Sequence, residues 1–169
     1  MKILANDGIS QSGIDLLCEA GFEVITTNVA QNQLINYINE NKITVLLVRS
    51  ATTARKELID SCPGLKIIGR GGVGMDNIDV EYAREKGLNV INTPAASSSS
   101  VAELVYAHLF GGVRFLYDSN RNMPLEGESN FKGLKKAYAK GIELRGKTLG
   151  IIGFPRFKAS PSFMKFPRL

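Results

Sequence analysis

The stretch Leu65-Lys66-Ile67-Ile68-Gly69-Arg70-Gly71-Gly72-Val73-Gly74 runs from a short, mainly aliphatic segment directly into a glycine-rich turn. Uninterrupted aliphatic segments are typical of strands in parallel sheets, where helices cover both faces. Similar segments predict further strands at residues 3–5, 22–25, 45–48, 88–91 and 148–152. Helical patterns lie between them, near residues 11–20, 31–41, 54–61, 79–86 and 101–118. This alternation predicts a doubly wound α/β sheet, in which ligands bind beyond the carboxyl ends of the strands.

The composition is that of a soluble globular protein. The chain has 169 residues, of which 44% are hydrophobic and 22% are charged. No apolar run approaches the ~18 residues that span a bilayer, and residues 1–7 lack the apolar core of a signal peptide. Two cysteines are too few for a disulfide framework, and no Cys or His has metal-ligand spacing. We therefore expect a reduced, cytoplasmic protein with no membrane partner and no metal.

The net charge of +5 is concentrated at the carboxyl end. Residues 155–169 contain four basic residues and no acidic one, whereas residues 1–154 contain 17 basic and 16 acidic residues. Nucleic-acid-binding proteins usually carry their basic residues on one face of a folded domain. The sequence therefore predicts a basic tail and no nucleic-acid partner.

Polar residues follow the predicted strand at 45–48 directly, in the order Arg49-Ser50-Ala51-Thr52. An arginine and two hydroxyl groups at the carboxyl end of a strand form a typical site for a carboxylate or a phosphate. The alternative is that Thr52 or Thr53 caps the next helix and Arg49 is solvated. The sequence leaves both interpretations open.

The glycine-rich turn at residues 69–74 matches the pattern G-x-G-x-x-G of dinucleotide-binding loops. Such a loop needs an acidic residue at the end of the next strand to hold the ribose. The next strand ends at Asn92-Thr93-Pro94, without an acid. We therefore favour a small-anion site formed by Arg70 and the loop amides over a pyrophosphate site. The alternative is a turn that needs glycine only for positive φ.

The clearest helical pattern covers residues 101–117. Ser100 and Glu103 have the spacing of a capping box at its start. His108 lies on the apolar stripe of this helix, which favours a core or interface residue over a ligand. Residues 119–147 are polar and weakly periodic, and they predict a linker with one short basic helix near 134–140. A new strand then begins, but Pro155 follows Gly150-Ile151-Ile152-Gly153-Phe154 where a second loop glycine is needed.

Five segments together resemble the D-isomer-specific 2-hydroxyacid dehydrogenases. They are VRSAT (48–52), LKIIGRGGVGMDNID (65–79), NTP (92–94), SVAEL (100–104) and ELRGKTLGIIGF (143–154). The resemblance covers residues 1–154 and implies a flavodoxin-like parallel sheet in a substrate domain, followed by an aborted start of a Rossmann NAD domain. The implied organisation is a substrate-binding domain at 1–100, an inter-domain helix and linker at 101–147, the first NAD-domain strand at 148–154 and a divergent tail at 155–169.

The resemblance also implies site residues. Substrate contacts are expected at Arg49, Ser50, Thr52, Arg70, Gly71, Gly72 and Asn77. NAD contacts are expected at Val73, Ser100 and Val101, with Gly150 and Gly153 as remnants of the dinucleotide turn. The resemblance is nearest to the branch of the family that oxidises a small phosphorylated hydroxy acid.

The family's catalytic arginine, glutamate and histidine lie beyond the point where this sequence departs from the pattern, so we expect no catalytic residue in this chain. We expect a truncated dehydrogenase that neither binds NAD nor turns over substrate alone. Two alternatives stay open. One is a non-catalytic module that binds a phosphorylated acid, and the other is an interaction protein that forms a homo- or hetero-oligomer through helix 101–117.

Overall fold

A computed structural model describes residues 1–150, which divide into two units. The first unit is Met1–Ala96, and the second begins at Ser97. In the first unit strands alternate with helices, as predicted, and the described part of the second unit is mainly helical. None of the helices in residues 1–150 combines the length and apolar character needed to cross a membrane.

The first unit is built on five parallel strands. They are β1 (Lys2–Ala5), β2 (Glu23–Ile25), β3 (Val45–Val48), β4 (Ile67–Arg70) and β5 (Asn89–Asn92). Their spatial order is β2-β1-β3-β4-β5, which is the flavodoxin-like order. The register pairs Val48 with Arg70 and Arg70 with Asn92, so these three residues lie along one edge of the sheet. The predicted fold class is confirmed.

Four helices connect these strands: α1 (Gln11–Glu19), α2 (Leu34–Glu40), α3 (Lys56–Ser61) and α4 (Val80–Glu85). Helix α1 begins after Ser10, whose side chain accepts a hydrogen bond from the Gly13 amide at 3.3 Å. Helices α1 and α4 are both followed by a glycine with positive φ, Gly21 and Gly87. Ser10, Gly21 and Gly87 thus mark ends of these helices, which lie near their predicted positions.

The core of the first unit lies around the central strands. Leu4, Leu46 and Ile68 occupy β1, β3 and β4 and are fully buried. The helices contribute Leu34, Ile38, Leu58, Ile59 and Ala83 to the same cluster. Because both faces of the central strands are covered, their sequences are continuous aliphatic runs rather than alternating ones.

The second unit departs from the sequence prediction. The expected single helix over 101–117 is two helices, α5 (Ser98–Val113) and α6 (Leu116–Tyr138), separated where Phe115 takes a left-handed conformation. The predicted linker at 119–147 is wrong up to Tyr138, because α6 covers these residues and includes Pro124. Within α6, two helical segments meet at Asn130, whose φ and ψ are not helical, and the second segment covers part of the short helix predicted near 134–140.

Contacts outside the local sequence explain this difference. Leu134 is buried, the rings of Phe115 and Tyr138 lie 6.1 Å apart, and Asn122 donates to the Tyr138 hydroxyl at 3.0 Å. These contacts stabilise a helix that its glycines and Pro124 disfavour. The predicted capping box is also wrong, because α5 begins at Ser98 and its N-cap is Ser97, so Ser100 lies inside the helix.

The predicted strand at 148–152 lies at the limit of the described residues. Residues 148–150 belong to no strand, and the rest of this segment, with the tail at 155–169, lies outside the described residues. The predicted domain boundaries stay predictions.

Candidate functional site

An open cleft of about 700 Å³ lies at the carboxyl ends of four neighbouring strands, β1, β3, β4 and β5. This is where a sheet of this order binds its ligands. Charged side chains reach the cleft from three of the strand ends, and aliphatic side chains form much of its wall. The lining residues are Asp7, Gly8, Ile9, Ser10, Leu47, Val48, Arg49, Gly69, Arg70, Gly71, Ile91, Asn92 and Thr93.

Asn6 anchors the first strand end beneath the cleft. Its side chain is 3% exposed and makes three hydrogen bonds. The amide nitrogen donates to the Val29 carbonyl at 3.1 Å and to the Thr52 hydroxyl at 2.8 Å, and Oδ1 accepts from the Val29 amide at 2.8 Å. Asn6 thus joins the segment before α2 to the segment after β3.

Asp7 follows Asn6 and organises the segment Arg49–Thr52. Its Oδ2 accepts from the Arg49 amide at 2.6 Å and from the Thr52 amide at 3.1 Å. Its Oδ1 accepts from the Thr52 hydroxyl at 2.5 Å. Both oxygens of the carboxylate are therefore used to hold one short segment of backbone.

Opposing influences set the pKa of Asp7. Partial burial is the largest single influence and raises the pKa. Hydrogen bonds from the Thr52 hydroxyl and from the amides of Arg49, Thr52 and Ala51 lower it, and together they prevail. The pKa of Asp7 therefore lies below its ordinary value of 3.8, and the carboxylate is ionised at neutral pH.

The lowered pKa of Asp7 predicts a pH-dependent stability. Ionised Asp7 stabilises the fold fully above its ordinary pKa of 3.8, and this contribution is lost as the pH falls through the lower folded value. We expect the difference in free energy of unfolding between the wild type and Asp7→Asn to be constant at about pH 5–7. It should shrink below about pH 4. Urea unfolding at a series of pH values measures this difference, and a difference that persists unchanged into strong acid contradicts the assignment.

Thr52 and Asn77, both predicted to contact substrate, are instead buried beneath the cleft. They are 3% and 6% exposed, and neither lines the cleft. The Thr52 hydroxyl is used by Asp7 and Asn6. The Asn77 side chain donates to the carbonyls of Arg49 and Thr52 at 2.8 and 2.6 Å. In this structure both side chains support a loop, and their predicted contact with substrate stays a prediction.

The two predicted arginines differ in their surroundings. Arg49 is exposed and lines the cleft, and its guanidinium makes no hydrogen bond or ion pair within residues 1–150. The Arg70 guanidinium instead turns back onto its own loop. It donates to the Gly74 carbonyl. It also donates to the Asp76 carboxylate at 3.2 Å and weakly to the Arg49 carbonyl at 3.4 Å. The Arg70 charge is therefore partly neutralised, whereas that of Arg49 is available.

The predicted anion site at the amides of Gly71 and Gly72 is not formed in this structure. The Gly71 amide donates to the Val48 carbonyl at 2.9 Å, and the Gly72 amide donates to the Arg70 carbonyl at 3.0 Å. Among the amides of this loop, those of Val73 and Gly74 make no hydrogen bond within residues 1–150. These two amides, rather than the predicted pair, are without a hydrogen-bond acceptor within residues 1–150.

Asn92, the last residue of β5, and Thr93, which follows it, hold the glycine-rich loop through hydrogen bonds. Asn92 donates to the Val73 carbonyl at 2.7 Å, and the Thr93 amide donates to the Gly72 carbonyl at 3.1 Å. From the sequence, Asn92-Thr93-Pro94 was interpreted as a strand ending and as one of the segments that carry the family resemblance, with no role in holding the loop. Its position at the end of a strand next to the glycine-rich loop was the signal for this role.

The described residues do not fit a dinucleotide at the glycine-rich loop. A pyrophosphate loop leads directly into a helix and offers its amides to the phosphates. Here Gly69 and Arg70 belong to β4, and the next helix begins only at Val80. The Gly71 and Gly72 amides are also occupied.

The other predicted NAD contacts lie elsewhere in the chain. Ser100 and Val101 are on α5 in the second unit, Gly150 lies in no regular element, and Gly153 lies outside the described residues.

His108 is exposed on α5 and has no carboxylate partner within residues 1–150. Within the same range, no group of three His, Cys, Asp or Glu residues is placed to hold a metal ion.

The sheet order and the cleft define an α/β unit with an open cleft at the carboxyl ends of its strands. Residues 3–157 match the model of the D-isomer specific 2-hydroxyacid dehydrogenase catalytic domain, and the chain belongs to that family.

Among curated relatives, the chain is 41% identical to D-3-phosphoglycerate dehydrogenase of Methanocaldococcus jannaschii, over 92% of this chain and 28% of the relative. It is 40% identical to hydroxypyruvate reductase of Thermotoga maritima, over 90% of this chain and 48% of the relative. The chain thus spans less than half the length of these curated relatives.

Two solved structures are also similar to this chain. The NAD+-bound 3-phosphoglycerate dehydrogenase of Entamoeba histolytica is 30% identical, with a TM-score of 0.56 over 68% of this chain and 39% of that chain. An acyclic imino acid reductase in complex with NADPH and D-Arg is 27% identical, with a TM-score of 0.66 over 84% of this chain and 44% of that chain.

Proposed function

We propose that residues 1–96 form the substrate-binding unit of an NAD-dependent D-3-phosphoglycerate dehydrogenase, the enzyme that begins serine biosynthesis. The observation that carries this proposal is the exposed, unpaired Arg49 guanidinium at the carboxyl edge of the sheet, above an open cleft. The similarity to D-3-phosphoglycerate dehydrogenases supports the same substrate class. A phosphorylated hydroxy acid carries two anionic groups, which such an edge can bind.

The residues suggest how the acid is held. Arg49 provides a charge-assisted hydrogen bond to a carboxylate or phosphate oxygen. The amides of Val73 and Gly74, which make no hydrogen bond within residues 1–150, provide neutral donors in the loop next to the cleft. Ile9, Leu47 and Ile91 line the cleft with apolar surface, against which a carbon skeleton can pack. Arg70 contributes by keeping the loop in shape, because its guanidinium contacts Gly74 and Asp76.

The described residues supply binding but no acid–base pair for oxidation. NAD supplies the hydride acceptor in enzymes of this family. Hydroxyl oxidation also needs a positioned base, and His108 lacks a carboxylate partner within residues 1–150. We therefore propose that the 169-residue chain binds the acid without oxidising it.

A titration with three ligands tests this function. We expect 3-phosphoglycerate to shift the NMR amide signals of residues 49–52 and 70–74, with a dissociation constant of roughly millimolar because the cleft is open and wet. D-Glycerate, which lacks the phosphate, and inorganic phosphate, which lacks the carbon skeleton, should bind more weakly. Adding NAD to the complex should produce no NADH above a control without protein. The absence of shifts at tens of millimolar, or equal binding of all three ligands, contradicts the proposal.

A further inference from the structure

We propose that Asp7 is a positioning residue, which holds the segment Arg49–Thr52 so that the Arg49 guanidinium extends over the cleft. This inference rests on the proposed function, in which Arg49 binds an anionic group. The Asp7 carboxylate would not touch the ligand, and its effect would pass through the backbone of the segment that carries Arg49.

The first support is the convergence of donors on Asp7. Its carboxylate accepts from the amides at both ends of the segment, Arg49 at 2.6 Å and Thr52 at 3.1 Å. It also accepts from the Thr52 hydroxyl at 2.5 Å. A carboxylate that receives several donors from one short turn fixes that turn, because hydrogen bonds to a charged acceptor are stronger than neutral ones.

The second support comes from the opposite side of the segment. Asn77 donates to the carbonyls of the same two residues, Arg49 at 2.8 Å and Thr52 at 2.6 Å. Each end of the segment is therefore held through both its amide and its carbonyl. Asn77 is buried, and its Oδ1 has no hydrogen-bond partner within residues 1–150, so its side chain serves the segment as a donor only.

The negative charge of Asp7 and its positioning role predict opposite effects of Asp7→Asn on the affinity for an anion. Asp7 lines the same cleft as Arg49, and an ionised carboxylate repels an anionic ligand. If Asp7 acted only through its charge, Asp7→Asn would raise the affinity for an anion. If Asp7 positions Arg49, the same substitution lowers the affinity. The sign of the effect therefore separates the two explanations.

Hydrogen exchange in the ligand-free 169-residue protein tests whether Asp7 holds the segment Arg49–Thr52, an arrangement that we call the clamp. Hydrogen exchange of the amides of Arg49 and Thr52 should be about tenfold or more faster in Asp7→Asn than in the wild type. Thr52→Val and Thr52→Ser form a matched pair. The valine keeps the shape but loses the hydroxyl, so exchange at these amides should rise. The serine keeps the hydroxyl, so exchange should stay within about twofold of the wild type. Unchanged exchange in both Asp7→Asn and Thr52→Val overturns the clamp.

A double-mutant cycle with 3-phosphoglycerate tests the link to Arg49. We expect Asp7→Asn to raise the dissociation constant about 5- to 10-fold in the wild-type background and less than about twofold in the Arg49→Ala background. A merely structural loss would weaken binding equally in both backgrounds. An unchanged or tighter affinity of Asp7→Asn, or an equal loss in both backgrounds, overturns the positioning role.

The hydrogen-exchange experiment and the binding experiment together also distinguish a failure of this inference from a failure of the proposed function. If the wild type fails to bind 3-phosphoglycerate while the exchange results follow expectation, the proposed function and the link from Asp7 to a ligand are wrong, and the clamp stands. If the wild type binds but exchange at Arg49 and Thr52 is insensitive to Asp7, the proposed function stands and the positioning role is wrong.

Discussion

Replacement of Asn6 by alanine is expected to lower the free energy of unfolding by about 3–4 kcal/mol. The substitution removes three hydrogen bonds and leaves the amide and carbonyl of Val29 without their partner. Val29 is 8% exposed, so bulk water does not readily replace those bonds. Each buried group left unpaired costs about 1–3 kcal/mol. A loss of this size is a large part of the ~5–15 kcal/mol that stabilises an ordinary domain.

Two further variants show whether the hydrogen bonds are the cause. Asn6→Asp keeps the shape and the acceptor for the Val29 amide but loses both donors, so we expect it to be destabilised as well. Asn32→Ala is the control, because Asn32 is exposed and its side chain makes no hydrogen bond within residues 1–150. Urea unfolding should place Asn32→Ala within about 0.5 kcal/mol of the wild type. A loss below ~1 kcal/mol for Asn6→Ala would show that water replaces the side chain in its hydrogen bonds.

The sheet could be predicted from sequence because its signals are local. Each of the five strands contains at least two consecutive aliphatic residues, and glycine or serine marks several helix ends. The second unit was predicted less well because its α6 helix depends on distant contacts. Pro124 and the weak periodicity of residues 119–147 favour a linker, whereas Leu134 and Tyr138 stabilise a helix through packing that the sequence does not display.

The sequence led to the edge of the sheet where the cleft lies, but it did not show which atoms of that edge are already paired within the protein. Arg49 and Arg70 do follow neighbouring strands, and both line the cleft. Sequence position alone could not show that Arg70 turns back to Gly74 and Asp76, or that Thr52 and Asn77 are buried. These outcomes depend on side-chain rotamers and on pairs of residues more than 20 positions apart.

Asn6 and Asp7 are the residues that sequence reasoning missed. Neither residue was predicted as a site residue from the sequence. Both residues nevertheless follow the first predicted strand directly, and polar residues at that position of a parallel sheet face the ligand-binding edge. Applying to the first strand the rule that selected Arg49 and Arg70 would have found them.

Replacement of Arg49 by alanine is expected to weaken 3-phosphoglycerate binding about tenfold or more, while the fold is unchanged. The guanidinium lines the cleft and has no partner within residues 1–150, so a ligand meets it without breaking an internal bond. A hydrogen bond to a charged group contributes about 1.5–3 kcal/mol, and solvent at this exposed position favours the lower value. The free energy of unfolding should change by less than about 0.5 kcal/mol, because an exposed, unpaired side chain contributes little to stability.

Charge and geometry at Arg49 can be separated with matched variants. Arg49→Lys keeps the charge but loses the planar fork that binds an oxyanion at two points, so its affinity should lie between those of the wild type and Arg49→Ala. Arg84→Ala removes the same charge from α4, outside the cleft lining, and should bind like the wild type. Added salt should weaken wild-type binding more than that of Arg49→Ala, because screening acts on the charge that the variant lacks. Equal affinities of Arg49→Ala and Arg84→Ala, measured by NMR titration at one ionic strength, would show that the Arg49 guanidinium does not bind the ligand.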